Sequence, residues 1–482
     1  MFNFNYTKMT TYFKYIVISL ALINLLGSCE IEKIKPINAL TEENVITNVE
    51  TAQSMLNSVY AETRGEGASS MSGYVIEALG DGLNFLSGNF GVSGMDINDV
   101  RDDNQFASSV YPEQYTVINQ ANWLISLLEQ GKAKGISETR KNEMIAEAKC
   151  LRAFAHFNLL RLFGQFYDLS SQYGIVIRTK PARGPEISHR NSVKESYDTI
   201  VSDLKFAKEF GPTGVPHWRV SSTTASALLS KVYLYMGDFQ AASTESLAVI
   251  QNTDGYLLEP TYDKIFQNRF DSKETFFSPF VDGLMERCFT YIGAAISTYS
   301  SYLYSLADES VTGVGDLNGN GSGFDPRFSY MYSENTKGYQ NGKCPFPNTD
   351  LNNIDAAGNT FYPLRMAEIY LIYAEAQART SSGISIEAVD KVNEIRLRAG
   401  ANLSPIAPAN KHDLLMNIYN EKLMELIGEN GEHWFDMVRY DRLGDIKIQD
   451  YKATITNSDK LIMPIPRTAL AGNKLLTQNP GY

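Results

Sequence analysis

Paired apolar stripes at helical spacing constrain the fold of this chain more than any other feature. Residues 222–251 give two helices around Met236-Gly237-Asp238-Phe239. Ala225, Leu228, Val232 and Tyr235 line the first, and Ala242 and Leu247 the second. Side chains three and four apart share one helical face, so each stripe needs a partner that buries it. A Gly-Asp turn followed by an aromatic residue and then Ala is the pattern of a tetratricopeptide-like hairpin. Residues 364–398 supply a similar pair, with Leu371, Ala374 and Ala378, then Ala388, Val392 and Ile395. Further helices are expected over 47–64, 115–130 and 138–165. Ser192-Val193-Lys194-Glu195 reads as a capping box that opens another, with Tyr197, Ile200, Leu204 and Ala207 on one face. The expected fold is mostly α, a tetratricopeptide-like helical scaffold with loop-rich insertions.

Two regions break the helical pattern. Residues 65–115 are rich in Gly, Ser, Asn and Asp and read as loops and short turns. Residues 252–361 carry 19 aromatics in 110 residues, against 11% in the whole chain. Long irregular segments between regular ones are usually functional. The expected organisation is therefore a leader over 1–28, a polar tether over 29–45, a helical region over 46–251, an aromatic-rich ligand region over 252–361 and a second helical region over 362–482.

The leader has a physical signature of its own. Lys8 and Lys14 precede an apolar run from Tyr15 to Leu26, broken by Ser19 and Asn24. A bilayer-spanning helix needs about 20 apolar residues, so this run fits the core of a secretory signal instead. It ends at Leu26-Gly27-Ser28-Cys29, which resembles a bacterial lipobox with Cys29 as the acylated residue. Met9 offers an alternative start. No later apolar run is long enough for a membrane helix, so lipid alone would hold the protein to a membrane. The formal net charge of -12 without a basic block argues against nucleic-acid binding.

Catalytic motifs are not evident. His156, His189, His217, His412 and His433 show no metal-ligand spacing, and His156 sits in an apolar helix where packing is expected. No nucleophile elbow of the G-x-S-x-G type occurs. Cys150, Cys288 and Cys344 are widely spaced, and Cys150 reads as a buried thiol. Asp316, Asn318 and Asn320 match the start of a calcium loop, yet its last position is Arg327 where a bidentate Glu is needed, so a plain turn is expected and no cofactor. The aromatic segment is the best candidate for ligand contact. Sugar C–H faces stack on rings, although many such rings fill loop-rich cores and the segment has no Trp.

Several ordered stretches resemble the SusD/RagB family of outer-membrane nutrient-binding lipoproteins from Bacteroidetes. They are Leu151–Phe157 with Arg161-Leu162-Phe163-Gly164, then Leu234–Phe239, Asp325-Pro326-Arg327, and Leu364–Ala376 with Val392-Asn393 and Ile395-Arg396. Glu421–Gly431 leads into Trp434–Arg439, and the tail holds Met463-Pro464-Ile465-Pro466 and Gln478–Tyr482. The resemblance implies a non-enzymatic surface lipoprotein. It would sit on a SusC-like, TonB-dependent transporter and bind oligosaccharide, or alternatively peptide. A surface hydrolase is the competing class. Ligand would lie among loops in 65–115 and 270–350, with Asp81, Phe85, Asn89, Phe90, Tyr291, Tyr299, Tyr302 and Tyr304 as candidate contacts.

Overall fold

The computed structural model describes residues 42, 44–65, 75–85, 93–279, 297–309, 325–327, 343 and 360–482. Its helices begin where small polar side chains can satisfy free backbone amides. Asn48 opens α1 (Val49–Glu62), accepting from the Thr51 amide while Thr51 Oγ1 accepts from the Asn48 amide. Asn104 opens α2 (Gln105–Glu129) by accepting from the Ala107 amide. That start lies well ahead of the 115 expected from sequence, where residues 65–115 read as loops and short turns. Burial of Phe106, Ala107, Val110 and Tyr111 outweighs the backbone bond that Pro112 removes.

Ser137 caps α3 (Glu138–Phe163). The expected capping box is present at α4 (Val193–Phe210): Ser192 Oγ accepts from the Glu195 amide, and Glu195 Oε2 accepts from the Ser192 amide at 2.8 Å. α5 (Ser222–Met236) ends at Gly237, whose φ of 77° is left-handed, and Asp238 then caps α6 (Phe239–Ile250). A short α7 (Tyr262–Asn268) and α8 (Ser301–Glu309) fall in the irregular region. α9 (Met366–Thr380) and α10 (Ile386–Ala399) form the second expected pair. They are followed by α11 (Lys411–Leu426), α12 (Glu432–Leu443), α13 (Ile448–Tyr451) and α14 (Arg467–Gly472).

Each helix from α1 to α6 packs on the next. α9 then packs on α6 and α5, so the array runs on across the aromatic-rich segment, and α10 and α11 extend it. The helices of 46–251 and 362–482 thus share one array within the compact unit Thr47–Tyr482. Among the described residues four short strands, β1 (Leu83–Phe85), β2 (Thr275–Phe277), β3 (Ser297–Tyr299) and β4 (Leu364–Arg365), form two antiparallel pairs. β1 pairs with β3, and β2 pairs with β4 through an irregular register.

The interior is ionic as well as apolar. Arg327, Lys343, Arg365, Arg396 and Arg398 face Glu274, Asp325, Glu421, Glu425 and Glu429, equal in number and mostly fully buried. Arg365 donates to Glu274 at 2.8 Å, to Glu425 at 2.5 Å and to Glu429 at 2.7 Å. Arg327 donates to Asp325, to Glu421 at 2.6 Å and to Glu425 at 2.9 Å. Burial opposes ionisation of Glu425, but the guanidiniums of Arg398, Arg365 and Arg327 outweigh it and hold its carboxyl far below the carboxylate range. A second balanced group joins Glu375, Asp436 and Asp445 to Arg379, Lys422 and Arg439. A third joins Arg161 and Lys231 to Glu432 and Glu368. Charge in a dry interior persists only when paired in this way.

The tail closes the other end of α3. Asn479 donates to the carbonyls of Phe163 at 3.0 Å and Met463 at 2.6 Å, and accepts from Arg190 at 2.6 Å. Two sequence readings are met nearby. His156 is buried, and desolvation lowers it to about 3. Cys150 is a buried free thiol pushed up to about 12. Cys29, Cys288 and Cys344 lie outside the described residues.

Candidate ligand-binding site

The segment 75–85 is bedded on α12 and the turn before it. Gly82 lies so close that an added Cβ would sit 2.7 Å from Ile427 Cδ1, and one at Gly80 would sit 3.2 Å from His433 Cδ2. Lys452 Nζ donates to the carbonyls of Gly80 at 2.7 Å and Ala78 at 3.2 Å. Asn98 donates to the Leu79 carbonyl at 3.0 Å and accepts from Thr454 at 2.6 Å. Asp81 is buried, and its carboxylate meets His433 Nε2 at 2.5 Å. Burial works against the His433 cation, but the Asp81 carboxylate prevails and raises its affinity for a proton. Glu77 is fully buried beside it, and desolvation lifts its carboxyl to about 7.

β1 carries this bed to the aromatic-rich region. Its register with β3 sets Leu83 opposite Tyr299, Asn84 opposite Thr298 and Phe85 opposite Ser297. The Ser300 amide extends the pairing by donating to the Gly82 carbonyl at 3.1 Å, and Ser300 Oγ accepts from the Leu303 amide near the start of α8. Tyr302 is half-buried and donates its hydroxyl to Asn420 Oδ1 on α11 at 2.6 Å. Its ring meets Tyr451 edge-on at 5.2 Å, and Tyr451 leads to Tyr419, which contacts both His433 and Tyr440. The two loop regions singled out in the sequence therefore meet in one small sheet, and Tyr302 just beyond it leads into a column of aromatic rings.

The candidate contacts are distributed as follows. Asp81 lies just ahead of β1 and is hydrogen-bonded to His433. Phe85 and Tyr299 are at the ends of the ladder, Tyr304 is in α8, and Tyr302 stands at the junction of α8 and α11. Asn89, Phe90 and Tyr291 lie outside the described residues, as do Asp316, Asn318 and Asn320. Arg327 at the end of that loop has its guanidinium committed to carboxylates. Sequence reasoning did not reach Asn84, which is exposed on β1, nor the supports Asn420 and Tyr451. Asn420 directly precedes the Glu421 motif, but nothing in the sequence flags Tyr451. Among the described residues no three His, Cys, Asp or Glu side chains are grouped to hold a metal.

Comparison with known proteins decides the lineage. Residues 242–482 match the family described as "SusD family", and residues 34–234 match one described as "Starch-binding associating with outer membrane". This chain belongs to the SusD family. The SusD-like protein P2 of Formosa agariphila is 28% identical, covering 96% of this chain and 98% of that protein. A SusD-like protein of Bacteroides ovatus is 25% identical over 70% of this chain. Among solved structures, a SusD superfamily protein of Bacteroides thetaiotaomicron superposes with a TM-score of 0.74 at 23% identity, covering 90% of this chain and 100% of that one. A "Laminarin binding SusD-like protein" superposes with a TM-score of 0.70 at 22% identity, with the same coverage. The stretches that carried the SusD resemblance supply much of the ion array and the tail clasp, so their role in this chain is structural.

Proposed function

We propose that this SusD-family protein captures an oligosaccharide at the outer surface of the cell and passes it, unaltered, to a SusC-like TonB-dependent transporter. The observation that carries the reading is the β1–β3 junction, which holds two loop regions together on a rigid, charge-locked scaffold. Such an arrangement suits a pre-formed recognition surface, because little ordering remains to be done when ligand arrives. The family description and the laminarin-binding neighbour favour a glycan over a peptide as cargo. Acylation at Cys29 would keep the protein at the membrane, and the tether 29–45 would give it reach over a transporter mouth. Asn84 and Tyr302 are the described residues best placed to touch ligand, with Asp81 and His433 acting as positioning residues.

Calorimetry against gluco-, manno-, galacto- and xylo-oligosaccharides tests this. Tyr302→Ala is expected to weaken binding by roughly tenfold, equivalent to about 1.4 kcal/mol. Tyr302→Phe separates the ring from the hydroxyl bond to Asn420. Unchanged affinity in both Tyr299→Ala and Tyr302→Ala would remove the site from this junction. Release of shortened sugars by the purified protein would overturn the binding-only reading in favour of a hydrolase.

A further inference from the structure

The turn that leads into α5 holds a large aromatic side chain out in solvent. The Arg219 amide donates to the Pro216 carbonyl at 2.9 Å, so His217 and Trp218 are the two corner residues of a tight turn. Of the three tryptophans, Trp434 is buried and Trp123 half-buried, whereas Trp218 is 42% exposed. The turn is pinned from three directions. The Ser278 amide, just past β2, donates to the His217 carbonyl at 2.8 Å. His217 Nδ1 donates to the Thr275 carbonyl at 2.6 Å. Arg219 donates to Glu147 at 2.9 Å and lies 5.2 Å over the Tyr60 ring. An exposed ring on a frame this fixed has already lost much of the freedom that binding would cost.

Phe270 makes a second wall. Its ring stands at 81° to the indole with centroids 6.1 Å apart, so the two rings meet as a corner. Arg269 ahead of it has a φ of 54°, a left-handed backbone that side chains rarely adopt, and its guanidinium lies 5.3 Å over the Phe270 ring. Such strain persists only where the surroundings impose it, and it gathers at binding sites. The corner also has a polar edge. A carbonyl can only accept, so His217 Nδ1 carries the proton and Nε2 is left as an acceptor. Burial, opposed by the Thr275 carbonyl, Asp271 and Glu259, holds this ring below its ordinary value and so neutral at pH 7. Nε2 has no partner among the described residues and is not buried. Neighbouring Cα atoms are about 3.8 Å apart, so the indole and Nε2 lie within the span of one disaccharide. An apolar face for C–H groups beside an acceptor for a hydroxyl is the pairing that a sugar offers in mirror image.

We propose that the Trp218 corner is a second saccharide contact, in which the C–H face of a sugar ring rests on the indole against Phe270 and a hydroxyl donates to His217 Nε2. It rests on the glycan reading for the class of ligand but shares no residue with the β1–β3 junction. Acrylamide quenching of tryptophan emission from the full chain, with the same oligosaccharide panel, tests it. A panel sugar is expected to shield the emission from quencher, and Trp218→Phe to remove that shielding. His217→Asn keeps a donor for the Thr275 carbonyl but lacks the acceptor, and should weaken the shielding sugar by roughly tenfold. Tyr302→Ala should leave the shielding intact, which separates this contact from the first. The proposal is overturned if no panel sugar shields Trp218, if shielding survives Trp218→Phe, if His217→Asn leaves it unchanged, or if Tyr302→Ala abolishes it. Calorimetric binding without shielding would sink this contact alone, whereas absence of both would sink the glycan reading with it.

Discussion

The residue that best shows how this protein is held together is Arg365. It donates to three carboxylates and to the Glu425 carbonyl, with no exposure to water. Replacing a buried ion pair wholesale can be neutral, but removing one partner leaves charge stranded. Arg365→Leu should therefore cost about 3–5 kcal/mol, read from urea unfolding. Arg365→Lys should fall short of rescue because an ammonium lacks the planar fork. Gly431 makes a second case. Its φ is 67°, and a Cβ there would collide with the Ile76 side chain. Gly431→Ala should lose about 1–3 kcal/mol and loosen 75–85 together with it. Neither role could be read from the sequence. Glu421, Glu425 and Glu429 recur at helical spacing, and ordinary patterning sends such charges to solvent. Their burial follows from arginines contributed by distant segments.

At the scale of elements, the bed 75–85 should respond to pH. Glu77 ordinarily titrates near 4.5 and is lifted to about 7 here, so between those values the folded protein keeps a proton that the unfolded chain has released. His433, whose affinity for a proton is also raised, acts in the same direction. Asp81, Lys343, Glu432 and Asp436 are the other charges bearing on the pair. Both contributions are present in acid and fade as pH rises, so stability of this bed should fall between about pH 5 and about pH 8. Exchange rates over 75–85, corrected for their intrinsic pH dependence, should rise across that window, and Glu77→Gln should flatten its lower part. A bed that grows more protected with pH would refute the assignment. Elements with strong local signals were legible: the capping box at Ser192, the Gly237 turn and both helical pairs. The start of α2 was not, because the run ahead of 115 carries little local period and it is tertiary burial of Phe106, Ala107, Val110 and Tyr111 that holds it in the helix. Strands of three residues carry no usable period, so nothing local announced that 83–85 would pair with 297–299.

For the whole molecule, the mostly helical scaffold was readable, and so was the family. The candidate site was readable only as two separate regions, because their meeting depends on long-range pairing between 83–85 and 297–299. The tether gives the prediction at this scale. Cys29→Ala should move the protein from the membrane fraction to the soluble fraction with its melting temperature unchanged. A variant that stays bound at high salt would rule out the lipid anchor. The ion array also bears on the order of assembly. Arg161 on α3 waits for Glu432, and the Phe163 carbonyl waits for Asn479, whereas Lys231 on α5 also has Glu368. One of the first helices to leave a ribosome or translocon thus holds a buried cation whose counter-charge arrives near the end of synthesis. A copy cut short before Glu432 cannot bury the Arg161 charge in this way, and so stays open to the proteases that clear unfinished chains.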